Sequence, residues 1–268
     1  DGVAGREWDP TIPWGVEPSA VAVAASLDAE CIIYTDVDGV YTTDPNLVKN
    51  AKKISQISYE EMLELASQGA KVLQTRSVEL AMRKKTKLSV RSSIKTNSTG
   101  TLVTDENSKL ENNTVSGIAY SKDEAKITLS RVLDKPGVSS KIFSPLAKGN
   151  INVDMILQNV SQDGKYANLS FTLPRSDLEK ALKILKKEKP KIGYKRINSS
   201  NNISKISVIG VGMRSHAGVA QTLFETLGKS KINIQVITTS EIKISILIDE
   251  QFTDLAVQKL HKAYKLHL

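Results

Sequence analysis

The hydrophobic pattern divides the chain into two stretches of different character. Between residues 19 and 90, apolar positions come in alternating helix-like and strand-like groups. Residues 19–28 form a helix of small residues, and Cys31-Ile32-Ile33-Tyr34 is a short apolar run of strand formers, which reads as a buried strand. Ser58-Tyr59-Glu60-Glu61 has the form of a capping box and opens a helix through Met62, Leu65 and Ala66. Gly69 is placed to end that helix in the left-handed cap position. The pattern then predicts a helix over 76–84 and a strand over 88–90. Such alternation implies an α/β layer. Residues 92–113 are polar and turn-rich and mark a change of unit. From Val115 onward, short strands alternate with amphipathic helices.

The second half repeats itself at an offset of 81 residues. Pro136-Gly137-Val138 returns as Ala217-Gly218-Val219, and Ile151-Asn152-Val153-Asp154-Met155-Ile156 returns as Ile232-Asn233-Ile234-Gln235-Val236-Ile237. One helix carries Val138, Ile142 and Leu146, and the other Val219, Leu223 and Leu227. A single apolar stripe on each helix suits a sheet covered on one face. Alternation in Asn168-Leu169-Ser170-Phe171-Thr172-Leu173 and in Ile242-Lys243-Ile244-Ser245-Ile246 predicts half-buried strands. The order is the βαββαβ of ferredoxin-like folds, present twice.

Composition narrows the function classes. A chain of 268 residues suggests about two domains, and 40% apolar residues suffice for a sizeable core. No early apolar stretch is long enough to span a bilayer and no signal segment precedes one, so a soluble, cytoplasmic protein without membrane contact is expected. The chain begins at Asp1, which we read as a processed, truncated or partial product. Residues 1–18 hold three of the eight prolines and both tryptophans and read as a divergent or poorly ordered lead-in. One cysteine and three histidines make neither a disulfide nor a structural zinc site, and no metal site is expected. His261 and His267 lie in a lysine-rich tail, and a Ser-His-Asp arrangement is not visible. The formal charge of +8 permits anionic ligands. The lysine run 183–196 reads as a solvated helix face plus linker, and the repeats lack stacking aromatics, so no nucleic-acid partner is expected.

The loop after the first strand carries the best candidate chemistry. Thr35, Asp36, Asp38 and Asp44 gather hydroxyl and carboxylate groups where α/β sheets bind ligands, and Gly39 permits close backbone approach. From the residues alone, an ordinary acidic turn is the favoured reading. No P-loop motif occurs.

The string TDVDGVYTTDP, followed by ISYEEMLELASQGAKVL, RSVELA and VRSS, resembles the C-terminal half of the aspartokinase catalytic domain. DKPGVSSKIF, NINVDMILQNVS, GMRSHAG and ITTSEIKIS resemble that family's two ACT regulatory domains. The resemblance implies an α/β protein: a partial amino-acid-kinase domain of Rossmann-like three-layer form over 19–104, then ACT domains over 115–198 and 199–268. The 115–120 strand is open to interleaving with the second of these. It implies phosphorylation of the side chain of L-aspartate by ATP with magnesium, at the start of lysine, threonine, methionine and diaminopimelate biosynthesis. Thr35 and Asp36 are then expected at the adenosine, Tyr41 beside it, and Lys71 and Val72 in a second nucleotide segment. L-lysine and/or L-threonine are expected as effectors. One pocket would combine Asp134, Lys135, Pro136, Gly137, Val138, Ser139, Asn152, Val153, Asp154, Gln158 and Asn159, with Asp134 or Asp154 taking the ligand ammonium. The other would combine Met213, Ser215, Gly218, Val219, Asn233, Ile234 and Ser240. From the residues alone, the Asp-Lys-Pro-Gly turn also reads as a helix cap with no ligand. The family's effector pockets imply a homodimer through the ACT domains.

Departures from the family pattern are specific. The family's Lys-Phe-Gly-Gly-Thr strand and Gly-Arg-Gly-Gly-Ser-Asp string do not occur; before Ser19-Ala20 the chain reads Trp14-Gly15-Val16-Glu17-Pro18. Asn46 stands where the family has arginine, Gln74-Thr75 where it has His-Pro, and His216-Ala217-Gly218 where it has His-Pro-Gly. The catalytic set is therefore incomplete, and little or no kinase activity is expected of this chain by itself. A non-catalytic regulatory subunit is the competing reading, and an RNA-binding ferredoxin-like protein the third.

Overall fold

A computed structural model describes residues 16–68, 72–95, 97–106, 110 and 113–268. They divide into two compact units. Unit 1 takes in the chain through Tyr120, Ile206–Ile246 and Phe252–Leu268; unit 2 takes in Ser121–Lys205 and Leu247–Gln251. No described helix is long and apolar enough to cross a membrane.

In unit 1, helix α1 (Val16–Ser26) precedes β1 (Cys31–Thr35), β2 (Gln56–Ser58), α2 (Tyr59–Ser67), α3 (Thr75–Lys84), β3 (Leu88–Ser92) and β4 (Thr101–Thr104). The sheet order is β1-β3-β4-β2. β1 runs parallel to β3 with Cys31 opposite Leu88, β2 runs parallel to β4, and β3 and β4 are antiparallel. The helix expected over 19–28 begins earlier, at Val16, so residues 16–18 are helical and not lead-in; 1–15 lie outside the described residues, as does Gly69. Glu17 explains the early start in part. Its Oε2 accepts from Gln74 N at 2.8 Å and Ser77 Oγ at 3.4 Å, filling the open N-terminus of α3, which has no cap of its own.

The polar stretch 92–113 is more than a boundary. β4 lies within it, at an interior position of the sheet. Four residues are too short for a periodic signal, but Thr101 and Val103 are fully buried. The threonine is tolerated there because its hydroxyl accepts from Val40 N at 2.8 Å and donates to Ile54 O at 2.5 Å.

The repeat occupies the rest: β5 (Gly117–Leu133), α4 (Val138–Lys148), β6 (Asp154–Val160), β7 (Tyr166–Leu173), α5 (Leu178–Ile192) and β8 (Arg196–Ile209), then α6 (Val219–Lys229), β9 (Ile234–Thr239), β10 (Lys243–Asp249) and α7 (Thr253–Ala263). β5, β8 and β10 each contribute residues to both units. β8 is the last strand of the first copy and the first strand of the second. Unit 2 has the order β6-β7-β5-β8 under α4 and α5. Its core joins Ile127, Leu129, Ile142, Leu146, Phe171 and Leu185, and Phe143 meets Phe171 edge to face at 5.3 Å. The lysines of α5 face outward while Leu178, Ala181, Leu185 and Ile192 are buried.

In unit 1 the end of β8 lies between the start of β5 and β10, with β9 outermost. Ser116 N donates to Ile209 O at 2.8 Å. The predicted stripes hold: Val138, Ile142 and Leu146 are buried, as are Val219, Leu223 and Leu227. Gly137 (φ 84°) and Gly218 (φ 99°) both enter their helices from the left-handed region, which glycine adopts without strain.

One strand departs from the pattern. β10 was expected to be half buried, yet Ile244, Ser245 and Ile246 are all buried. The second face of this part of the sheet lies under α2. Ser245 and Ser207 share a hydrogen bond of 2.7 Å, Ser207 Oγ lies 3.4 Å from Gln68 Oε1, and Lys243 pairs with Glu64 at 2.7 Å. Ala119 and Ile209 accordingly join the core of β1–β4.

The capping box on α2 is complete, and its glutamate does more than cap. Glu61 is fully buried. Its Oε2 accepts from Ser58 N (3.1 Å) and Ser58 Oγ (3.0 Å); its Oε1 accepts from Ser116 Oγ (2.6 Å) and Val211 N (2.9 Å). Glu61→Gln turns an acceptor into a donor facing donors. We expect a loss of about 3 kcal/mol, against about 1 kcal/mol for Ser58→Ala, read from urea unfolding. Equal losses would show that the contacts to Ser116 and Val211 add nothing to the cap.

Candidate functional site

β1 ends at Thr35, and its parallel neighbour β3 delivers Ser93, whose N and Oγ both donate to Thr35 O at 2.8 and 3.0 Å. The chain then turns out of the sheet. Thr35 Oγ1 donates to Asp36 Oδ1 at 3.0 Å, leaving Asp36 exposed at the strand's carboxyl end. Tyr41 donates its phenol to Asp38 Oδ1 at 2.7 Å. That bond is the main cause holding the Asp38 carboxyl below its ordinary range, with Lys95, 3.6 Å from its other oxygen, and Lys53 adding to it. The same bond pushes the Tyr41 phenol up to about 12.

Gly39 is required here. Its φ is +144°, and a Cβ would stand 2.6 Å from Thr101 Oγ1 and 2.9 Å from Lys53 Cδ. Lys53 Nζ donates to Ser98 Oγ at 2.8 Å, and Ser98 Oγ donates to Asp38 O at 3.4 Å. The result is a polar loop with two lysines along one side, over the carboxyl end of a parallel strand pair. The carboxyl end of parallel strands is where α/β sheets commonly bind ligands.

Of the predicted nucleotide residues, Thr35, Asp36 and Tyr41 come together in this loop. Val72 is half buried and packs against the core of unit 1. Lys71 lies outside the described residues. Sequence reasoning missed Lys53, Ser98 and Thr101, which carry no motif and reach the loop through the sheet. It also missed His261. Read as part of a lysine-rich tail, this residue is 1% exposed, with Nε2 2.9 Å from Thr42 Oγ1. A cavity of about 490 Å³ lies beside it, between residues 46–50 and α7.

In unit 2, Gln158 Nε2 donates to Asp134 Oδ1 at 3.1 Å, so the Asp134–Ser139 turn and β6 do meet. Asn159 is Gln158's neighbour on a strand and so points to the opposite face. Asp154, whose side chain stays 57% exposed, already carries one cation. Lys205 Nζ lies 2.7 Å from its Oδ2 and 2.7 Å from Glu124 Oε1. Lys205 and Glu124 are buried together: burial raises the Glu124 carboxyl against the pull of Lys205. Burial works against the Lys205 ammonium, but the two carboxylates raise it. Of the second predicted set, two residues border a cavity of about 370 Å³ at the start of α6. Gly218 and Val219 line it, together with Thr114, His216, Gln221, Thr222, Glu225 and Tyr264; Met213, Ser215, Asn233, Ile234 and Ser240 do not. Among the described residues, no group of three or more His, Cys, Asp or Glu is placed to hold a metal ion.

Comparison with known proteins bears on the family and the fold. Residues 15–92 match the amino acid kinase family, and 130–188 and 206–264 match the ACT domain. The aspartokinase of Pseudomonas aeruginosa is 50% identical over 255 residues, covering 94% of this chain and 61% of that protein. The aspartokinase of Helicobacter pylori is 49% identical over 257 residues, covering 94% and 62%. A solved structure of aspartokinase alpha and beta subunits is 46% identical, with a TM-score of 0.53; 56% of this chain covers 99% of it. The chain belongs to the aspartokinase family. Its fold is a partial amino-acid-kinase domain followed by two ferredoxin-like ACT domains. Clostridium acetobutylicum aspartate kinase has a TM-score of 0.84 at 25% identity, over 93% of this chain and 58% of that one. E. coli aspartokinase III, solved with aspartate and ADP, has a TM-score of 0.78 at 27% identity, over 94% and 56%. The chain thus spans about 61% of the length of the curated relatives it matches.

The buried histidine gives a pH prediction. Burial, and then His267, lower the His261 pKa. The unfolded value is about 6.5. The contribution of the neutral ring is therefore full above that value and is lost as pH falls through the lower folded value. Thermal unfolding at pH 7, 6 and 5 should show unit 1 losing stability on acidification, with a shallower slope in His261→Asn. Identical slopes would refute the assignment.

Proposed function

We propose that the chain carries the nucleotide loop and the regulatory domains of an aspartate kinase. In that reaction a side-chain carboxylate oxygen of L-aspartate bonds to the γ-phosphorus of MgATP as the bond to the β-phosphate oxygen breaks. The products are 4-phospho-L-aspartate and ADP. The observation that carries the reading is the Thr35–Tyr41 loop, with its acidic residues and flanking lysines, at the carboxyl end of β1. Thr35 and Asp36 would meet the adenosine, Tyr41 would pack beside it, and Lys71 would approach the phosphates. Magnesium would arrive with the nucleotide. Transfer of this kind depends on positioned charge around the phosphoryl group. The cations of the absent Lys-Phe-Gly-Gly-Thr and Gly-Arg-Gly-Gly-Ser-Asp strings, and the arginine replaced by Asn46, are part of that charge.

The ACT domains would bind L-lysine, L-threonine or both, in homodimers formed through those domains. In the first domain, Asp134, whose Oδ1 is oriented by Gln158, would take the ligand ammonium, with Asp154 the alternative. The N-terminus of α4, where Val138 N already donates to Lys135 O, would meet a carboxylate through the amides of Ser139 and Ser140. A second reading is a non-catalytic amino-acid-binding subunit. It is favoured by the near-complete coverage of the solved alpha and beta subunits.

Two measurements test what these readings share. A coupled ADP-release assay on the 268-residue chain should show no aspartate-dependent turnover; a rate within the roughly 1–100 per second usual for kinases would overturn the expectation. Calorimetry should show heat with lysine or threonine at millimolar concentration, reduced at least tenfold in affinity by Asp134→Asn. No heat with either amino acid would remove the effector reading.

A further inference from the structure

The loop after β1 is held from two sides. Its front half is fixed by the four-stranded sheet: Val40 bonds to Thr101 and Ile54, and Asp38 O accepts from Ser98. Its rear half is fixed by the second ACT domain and by the start of β5, which lies beside the end of β8. Thr42 O accepts from Ile118 N at 2.8 Å, at the root of β5. Thr42 Oγ1 lies 2.9 Å from His261 Nε2. The Tyr120 phenol donates to Asp44 Oδ2 at 3.0 Å, and the Gln258 amide donates to Leu47 O at 3.2 Å.

Thr42 is also tied to Lys52, just ahead of β2. Its N donates to Lys52 O at 2.9 Å, and Lys52 N donates to its Oγ1 at 3.0 Å. Close approach is built in at residue 117, where a Cβ would stand 3.2 Å from Thr42 O. Gln258 and His261 are three apart and so share one face of α7.

We propose that the second ACT domain, together with the start of β5, positions the nucleotide loop, with His261 and Tyr120 as the positioning residues. This rests on the nucleotide reading of residues 35–41. The rear half of the loop has few apolar anchors, so its polar bonds decide how often it opens. Thr42 is nearly buried, and a polar group there that loses its partner is costly. The Tyr120 phenol, pushed up to about 12 by burial and by Asp44, stays protonated and donates at any ordinary pH. A displacement of α7 or of the β5 root is therefore transmitted to Thr42 and Asp44, and from Thr42 to the Tyr41–Asp38 pair one residue away.

The test is hydrogen exchange by mass spectrometry on the full chain, alongside calorimetry with MgADP, in wild type, Tyr120→Phe, His261→Ala and His261→Asn. Tyr120→Phe removes one hydroxyl and keeps the ring, so it remains informative if His261→Ala does not fold. Amides 42–47 should exchange about tenfold faster in Tyr120→Phe, the size of one lost hydrogen bond to a charged acceptor, while 88–92 keep wild-type rates. MgADP affinity should fall by a similar factor, and His261→Asn should recover part of what His261→Ala loses. Unchanged exchange at 42–47 in Tyr120→Phe overturns the proposal, and so does an equal acceleration at 88–92. If wild type takes up no MgADP, the nucleotide reading fails by itself, and the exchange comparison still decides whether the second domain holds the loop.

Discussion

One buried carboxylate sets the arrangement of unit 1. Glu61 gathers donors from Ser58, Ser116 and Val211, three places far apart in sequence. A carboxylate removed from water is tolerated when its lone pairs are met by donors. The start of α2, the approach to β5 and the turn after β8 must therefore be in place together. None of them satisfies the anion alone. That requirement brings the second repeat under α2 and makes its sheet part of the same core as β1–β4.

The two copies of the repeat consequently serve different ends with one pattern. Their helix stripes are equivalent residue for residue at the offset of 81, and so are their left-handed entry glycines. Their strands are not equivalent. In the first copy, Thr128 and Ser170 share a hydrogen bond of 2.9 Å on a part-buried face, as half-buried strands require. In the second, Ser207 and Ser245 pair at 2.7 Å in full burial beneath Gln68. Small hydroxyls suit both places, because they bond across the strands and leave room for a helix to approach.

This difference explains what the sequence discloses and what it withholds. Helix faces are legible because burial on one side writes a period of four into Val138, Ile142 and Leu146 whatever lies elsewhere. The capping box at Ser58–Glu61 is legible because its chemistry is local. The outward contacts of Glu61 are not, since Ser116 and Val211 carry no signature that names a partner. β4 is hidden because Thr101 and Thr104 read as turn residues until their sheet neighbours are known. Thr35, Asp36 and Tyr41 stand out as a motif, whereas Lys53, Ser98 and Thr101 are ordinary residues brought to the loop by strand pairing. His261 was masked by its lysine neighbours, because composition averages over a helix whose buried and solvated faces differ.

The loop beyond β1 therefore has two supports of unlike origin. Its front half draws on the sheet that any ligand at Thr35 and Asp36 would sit above. Its rear half draws on groups more than seventy residues away in sequence. A ligand elsewhere changes the loop only if it binds one arrangement of α7 and β5 better than another, because equal affinity for both shifts nothing. Couplings of this kind are typically about 1–3 kcal/mol, the scale of one or two hydrogen bonds such as Tyr120 to Asp44. A junction made of a few bonds at Thr42 and Asp44 is thus of the right strength to be biased by a small ligand and too weak to lock the loop against it.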